Sequence, residues 1–173
     1  TSVQFAPDSK QVASASEDRT VKLWDTAGAE TQRTLPVRSG MIQSVAFSPD
    51  GKRLACTTTE ATLKMPQPGQ VRVLDASTGH EMLTLKGHAG GVLCVAFSPD
   101  GQRRASGDGP ITGTRPGEVK VWDAVSGLEL LTMTGHTGEV LAVAYGPDGK
   151  RLASASAAPF IASMPGEVKL WDA

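Results

Sequence analysis

The feature that most constrains this chain is that it repeats itself. Residues 135–154 recur almost unchanged at 87–106, and shorter versions begin at Met41 and Thr1. Each copy leads on to a segment like that of residues 119–123. The anchors Trp24, Leu74, Trp122 and Trp171 follow one another at intervals of 50, 48 and 49 residues, and Pro7, Pro49, Pro99 and Pro147 open the same turn in each copy. A fixed period of this size marks stacked supersecondary units rather than one irregular core. The copies run over residues 1–36, 37–86, 87–134 and 135–173, all within one domain spanning the chain.

Each unit reads as short strands separated by turns. Val95-Ala96-Phe97 and Val140 to Tyr145 are brief apolar runs rich in β-branched and aromatic residues, closed by Pro-Asp-Gly, which is a strand followed by a tight turn. Proline sets φ at the first central position and glycine accepts a positive φ after it. A second strand follows (residues 151–154 in the last copy), then a third (168–172) with alternating faces. After a turn such as Asp75-Ala76-Ser77-Thr78-Gly79 comes a fourth strand (82–85, 130–133). Four short antiparallel strands make a sheet with two apolar faces, which cannot be buried alone. Stacking such sheets around an axis buries them and makes a β-propeller.

The pairs Gly87-His88 and Gly135-His136, the Ser-Pro-Asp-Gly turns, and Trp24-Asp25, Trp122-Asp123 and Trp171-Asp172 together resemble the WD-repeat β-propeller family over essentially the whole chain. The fold expected is all-β, with about four WD-type blades of four antiparallel strands. The last copy lacks its fourth strand. Propellers have typically about four to eight blades. The chain therefore reads as a partial propeller or an oligomer-forming arc, whose open faces would invite self-association to close a ring.

The resemblance implies a buried hydrogen-bond chain of His, Ser, Asp and Trp in each blade. Carried over, it offers His88, Ser106 and Trp122 in copy three, with Asp108 as a stand-in for the acid. It offers His136, Ser154 and Trp171 in copy four without an acid, and Asp18 and Trp24 in copy one without a histidine. These types invite comparison with a hydrolase triad, but they recur at every repeat, whereas a catalytic site is singular. No catalytic residue is assigned. Arg104 stands where Val12, Leu54 and Leu152 stand in the other copies, and an inward arginine is costly unless paired or carried to a rim.

Copies two, three and four carry six to eight extra residues between their second and third strands, each insertion ending in Pro68-Gly69, Pro116-Gly117 or Pro165-Gly166. A Pro-Gly pair suits a type II turn. By the resemblance, these loops share a face with the Gly-His loops, a face that commonly receives peptides or proteins. Loops on a rigid scaffold carry function, so Lys64, Met65, Arg115, Phe160, Ile161 and Met164 are the expected partner contacts.

Charge is balanced, with 17 basic and 18 acidic residues. That gives no electrostatic footprint for nucleic acid or an anionic membrane. Two cysteines and three histidines are not spaced as metal ligands, no cofactor is expected, and Cys56 and Cys94 read as small buried hydrophobes. The function implied is a non-enzymatic scaffold that binds a protein or peptide through its loop face. The alternative is a regulatory module of a longer enzyme, such as a kinase or protease.

Overall fold

A computed structural model describes residues 2–28, 31–37, 40–60, 67–110, 115–157 and 165–173. Among them there are fifteen strands and no helix. The first sheet is β1 (Val3–Phe5), β2 (Gln11–Ala15), β3 (Thr20–Asp25) and β4 (Thr31–Pro36). The second is β5 (Met41–Phe47), β6 (Arg53–Glu60), β7 (Gln67–Asp75) and β8 (Glu81–Leu85). The third is β9 (Gly91–Phe97), β10 (Arg103–Gly109), β11 (Val119–Asp123) and β12 (Glu129–Met133). The fourth is β13 (Val140–Tyr145), β14 (Arg151–Ser156) and β15 (Glu167–Asp172). Each sheet is a meander in chain order, antiparallel throughout.

The Pro-Asp-Gly turns form as the sequence requires. Gly51, Gly101 and Gly149 take φ of 70, 70 and 68°, and the amides of Gly51 and Gly101 close on the carbonyls of Ser48 and Ser98 at 2.8 and 2.9 Å. The hydroxyl of Ser98 donates to Asp100 (2.6 Å) and accepts from the Arg103 amide (2.9 Å), locking the hairpin. In the first sheet Ser9 occupies the glycine position at φ 61°, a conformation L-residues avoid.

The core lies between sheets, not within them. Ala13, Val21, Leu23 and Leu35 of the first sheet pack on Ile42, Val45, Phe47 and Leu54 of the second. Val71 and Leu85 of the second meet Val92, Val95 and Trp122 of the third. Val119, Val121 and Met133 of the third meet Val140 and Leu152 of the fourth. No sheet is stable by itself, because each face needs a neighbour.

The stack is unclosed. Val21, Val71 and Val119 are fully buried at equivalent positions of β3, β7 and β11, while Val168 of β15 is 75% exposed. Leu23, Val73 and Val121 are likewise buried, and their counterpart Leu170 is 70% exposed. At the other end, Val3 and Phe5 are 67% and 62% exposed, whereas their counterparts Val45 and Phe47 are buried.

Two expectations are corrected. The Pro-Gly pairs do not form type II turns: Gly69, Gly117 and Gly166 are absent from the positive-φ glycines, and Pro68-Gly69 lies inside β7. Glycine stands there for space. A Cβ on Gly69 would lie 2.4 Å from the Val92 amide nitrogen, and one on Gly117 would lie 2.2 Å from the Asp108 carbonyl oxygen. Arg104, in turn, does not reach a solvent rim. It is 1% exposed, with Nη2 bonded to the Ala124 carbonyl at 2.9 Å and its guanidinium 5.0 Å over the Phe97 ring.

Candidate functional site

The candidate site is the face where the β6–β7, β10–β11 and β14–β15 connections meet the Gly-His loops. The Gly69 amide donates to Gly90 of the next sheet's loop at 2.8 Å, and the Gly117 amide donates to Gly138 of the following one at 2.9 Å. The spacing between adjacent sheets is therefore fixed at this face by backbone contacts that only glycine permits.

Beneath it lies the hydrogen-bond chain. Antiparallel register sets Ser106 opposite Lys120 and Arg104 opposite Trp122, so Ser106 and Trp122 are diagonal neighbours on one face. Trp122 Nε1–H donates to Ser106 Oγ at 2.8 Å. Ser106 Oγ is also 2.7 Å from His88 Nε2, and it donates there in the tautomer whose ring proton sits on Nδ1, facing the carboxylate. That leaves His88 Nδ1–H toward Asp108 Oδ2 at 3.2 Å, an electrostatic approach rather than a straight hydrogen bond. A register shift between Gly107 and Asp108 turns the Asp108 side chain inward. The sequence offered Asp108 only as a stand-in; it is the acid of this blade.

Asp108 is fully buried. It accepts from the Glu118 amide (2.7 Å), the Gly90 amide (3.2 Å) and Arg115 Nη2 (2.6 Å). Burial alone pushes its carboxyl up, but His88, the Glu118 amide and Arg115 outweigh that and hold it below the usual carboxylate range. Arg115, an expected partner contact, serves here as the counter-charge of a buried aspartate while its side chain stays 31% exposed. It also donates to the Pro116 carbonyl and lies 3.8 Å from Glu118.

The fourth sheet repeats the chain with another acid. Trp171 Nε1 donates to Ser154 Oγ at 2.7 Å, and Ser154 Oγ is 2.6 Å from His136 Nε2. His136 Nδ1 faces Glu167 Oε2 at 3.4 Å, and Glu167 also accepts from the Thr137 amide. Sequence reasoning missed Glu167. The shared tripeptide, Pro165-Gly166-Glu167 and Pro116-Gly117-Glu118, does not point to it, because in the third sheet Glu118 contributes its amide to Asp108 and not its carboxylate to His88. Burial lowers the His136 pKa from its usual value, ahead of the opposing pull of Glu167. In the first sheet only Trp24 to Ser14 survives, at 2.8 Å. Asp18 is corrected out of the network. It is exposed and accepts from the Thr20 amide and hydroxyl in its own turn, and copy one has no histidine to meet it.

Lys64, Met65, Phe160, Ile161 and Met164 lie outside the described residues. Among the described residues no cluster of three or more His, Cys, Asp or Glu could hold a metal. Cys56 and Cys94 are buried and free, and burial pushes both thiols up to about 12.

Meandering sheets of three or four strands stacked face to face, the third and fourth tied by a Trp–Ser–His chain, define the blades of a β-propeller. The family model described as "WD domain, G-beta repeat" matches residues 1–25, 29–65, 79–123 and 127–172, and the chain belongs to that WD-repeat family. It is 34% identical over 61 residues to the U5 small nuclear ribonucleoprotein 40 kDa protein of Homo sapiens (35% of this chain, 17% of that protein). It is 36% identical over 79 residues to the Coronin-like protein crn1 of Schizosaccharomyces pombe (45% and 13%), and 41% identical over 54 residues to Ribosome assembly protein 4 of Chaetomium thermophilum (31% and 10%). The matched stretch is thus under a fifth of each relative's length. Among solved structures, Kuenenia stuttgartiensis Hydrazine Synthase superposes with a TM-score of 0.80 at 19% identity, covering 99% of this chain and 45% of that one; this likeness concerns the fold alone.

Proposed function

We propose that the chain is a non-catalytic scaffold that binds a protein or peptide through the loop face, with Lys64, Met65, Arg115, Phe160, Ile161 and Met164 as contacts. The observation that carries this reading is the anchoring of successive insertions on the next blade's Gly-His loop, Gly69 on Gly90 and Gly117 on Gly138. The closing ends of the second and third copies' insertions are thus fixed to the neighbouring blade, a rigid base of the kind binding loops need. The polar groups beneath bond to one another, and the same chain is built in the third and fourth blades, as a structural tie is. The test is selection of a displayed peptide library on the immobilised protein, repeated with a Met65→Ala/Phe160→Ala/Met164→Ala variant whose melting temperature matches the parent. Peptides enriched on the parent and lost on the variant support the reading; equal enrichment on both refutes it.

A second reading concerns the two apolar end faces. Val168 and Leu170 are the counterparts of residues that, in the earlier blades, pack in one cluster with the next sheet's Val and aromatic side chain (Val45 and Phe47, Val95 and Phe97, Val143 and Tyr145), while Val3 and Phe5 are the uncovered counterparts of that pair. The fourth sheet of one molecule therefore fits the first sheet of a second copy, in a head-to-tail contact. Light scattering should give about twice the 18.0 kDa chain mass or more, and Leu170→Glu should return a folded monomer. A parent that stays monomeric at high concentration would sink this reading.

A further inference from the structure

The contact between the second and third sheets holds a charged cavity that the hydrogen-bond chains and the loop face do not account for. Arg53 and Arg104 converge there on one acceptor, the carbonyl of Ala124, through Nη1 of Arg53 (3.4 Å) and Nη2 of Arg104 (2.9 Å). Arg104 is 1% exposed, and its Nε and Nη1 have no hydrogen-bond partner. Among the described residues no carboxylate pairs with either guanidinium. The nearest acids are engaged elsewhere. Asp50 takes the Ser48 hydroxyl and Lys52 amide, and Asp123 takes the Val125 and Ser126 amides. Asp123 acts on Arg104 and Asp50 on the half-buried Arg53 only through space, so the buried Arg104 guanidinium keeps two donors with no direct anionic partner. Burial first, and then the charge of Arg53, bring Arg104 down to about 10 against the opposing pull of Asp123.

The two arginines line a cavity of about 220 Å³ whose other walls include Val73, Met82, Leu83 and Val125. No acidic residue lines it. Met82 and Val125 are exposed, so the cavity opens to solvent between apolar side chains. Arg104 is also singular, since the equivalent positions hold Val12, Leu54 and Leu152. A feature that belongs to the scaffold recurs with the repeat; this one occurs at one blade contact only.

We propose that this cavity binds a carboxylate carrying a short aliphatic tail, the carboxylate paired with Arg53 and Arg104 and the tail against Val73, Met82 and Leu83. The carboxylate comes either from a free short-chain acid or from the C-terminus of a peptide ending in an aliphatic residue. A carboxylate matches the planar guanidinium fork, and the apolar walls disfavour a fully hydrated anion such as sulfate.

The experiment is calorimetric and thermal titration of the full chain with butyrate, hexanoate, a tetrapeptide ending in leucine, the same peptide as its C-terminal amide, and sulfate, at matched ionic strength. The acids should bind saturably at about 1 mM or tighter, the value small-ligand efficiency allows for so few heavy atoms, and should raise the melting temperature by mass action. The amide and sulfate should do neither. Stronger binding of the acid peptide than of hexanoate assigns a peptide C-terminus; the reverse order assigns a free acid. Arg104→Leu, which restores the residue of two other copies, should melt above the parent without ligand and bind at least tenfold more weakly. Arg53→Met changes a partly exposed residue and serves as a second variant if Arg104→Leu does not fold; it too should lose binding. The proposal is overturned if none of the acids binds, if sulfate binds as well as butyrate, or if either folded variant binds like the parent.

Discussion

Replacing Ser106 with alanine should be far more damaging than the same change at the equivalent serines of the other blades. Ser106 is fully buried and sits between Trp122, 1% exposed, and His88, 4% exposed. Losing its hydroxyl strands the Trp122 N–H, which had a 2.8 Å acceptor, and His88 Nε2, which had a 2.7 Å donor. Each orphaned buried group costs about 1–3 kcal/mol, so Ser106→Ala should cost about 2–5 kcal/mol. For a chain of this size that lowers the melting temperature by roughly 5–15 °C. Ser154→Ala strands His136 in the same way, but Trp171 is only half-buried and its N–H can turn to water, giving about 1–3 kcal/mol. Ser14→Ala frees the half-buried Trp24, with no histidine involved, and should cost about 0.5–1 kcal/mol. The three tryptophans of the chain are the three donors, so the three indole N–H signals in a nitrogen–proton correlation spectrum report each chain separately. Urea denaturation of the three variants gives the energies. Equal losses at all three sites would refute the reasoning, as would a loss under about 1 kcal/mol at Ser106 with its indole signal unmoved.

Other consequences follow from the turns and the glycine contacts. Ser9→Gly relieves a left-handed serine at φ 61° and, net of glycine's own entropic cost, should stabilise by about 0.5–1 kcal/mol; a lower melting temperature would contradict this. Gly117→Ala places a Cβ 2.2 Å from the Asp108 carbonyl and 2.8 Å from the Val140 amide nitrogen, and should cost about 3 kcal/mol or more. Gly28→Ala, where a Cβ meets nothing within 4 Å, should be near neutral. Acid should weaken the fold through its turn aspartates. The hydroxyl of Ser77, then the amide and hydroxyl of Thr78, hold Asp75 at about 2, below its unfolded value of about 3.9. Its contribution is thus complete above about pH 4 and lost as the pH falls toward 2. Asp75→Asn should flatten that part of the stability profile, and an unchanged profile would count against it.

How much was legible in the sequence differs between the scaffold and the site. The period, the strand runs, the Pro-Asp-Gly turns and the Trp–Ser pairing are local or nearly so. They follow from residue type and from register between adjacent strands, and they suffice to define the blades and the family. The acids of the chains could not be fixed that way. Asp108 precedes its insertion and Glu167 follows one, yet both face the histidine of their own blade, because a bulge in β10 and the start of β15 bring backbone from opposite ends of an insertion to the same place. Arg115 looked like a free loop cation until the buried Asp108 was seen to need one.

Exposure is likewise decided by neighbours and not by residue type. Val119 and Val168 have the same side chain at the same strand position in near-identical strings, and one is fully buried while the other is 75% exposed. The sequence determined that both belong to apolar faces, because alternation along a strand does that. Only the stacking of sheets determined which face has a partner. Arg104 is the sharpest case: sequence marks it as costly, and the tertiary structure alone brings its guanidinium to the Ala124 carbonyl that Arg53 also reaches, on a cavity with no acidic residue in its wall.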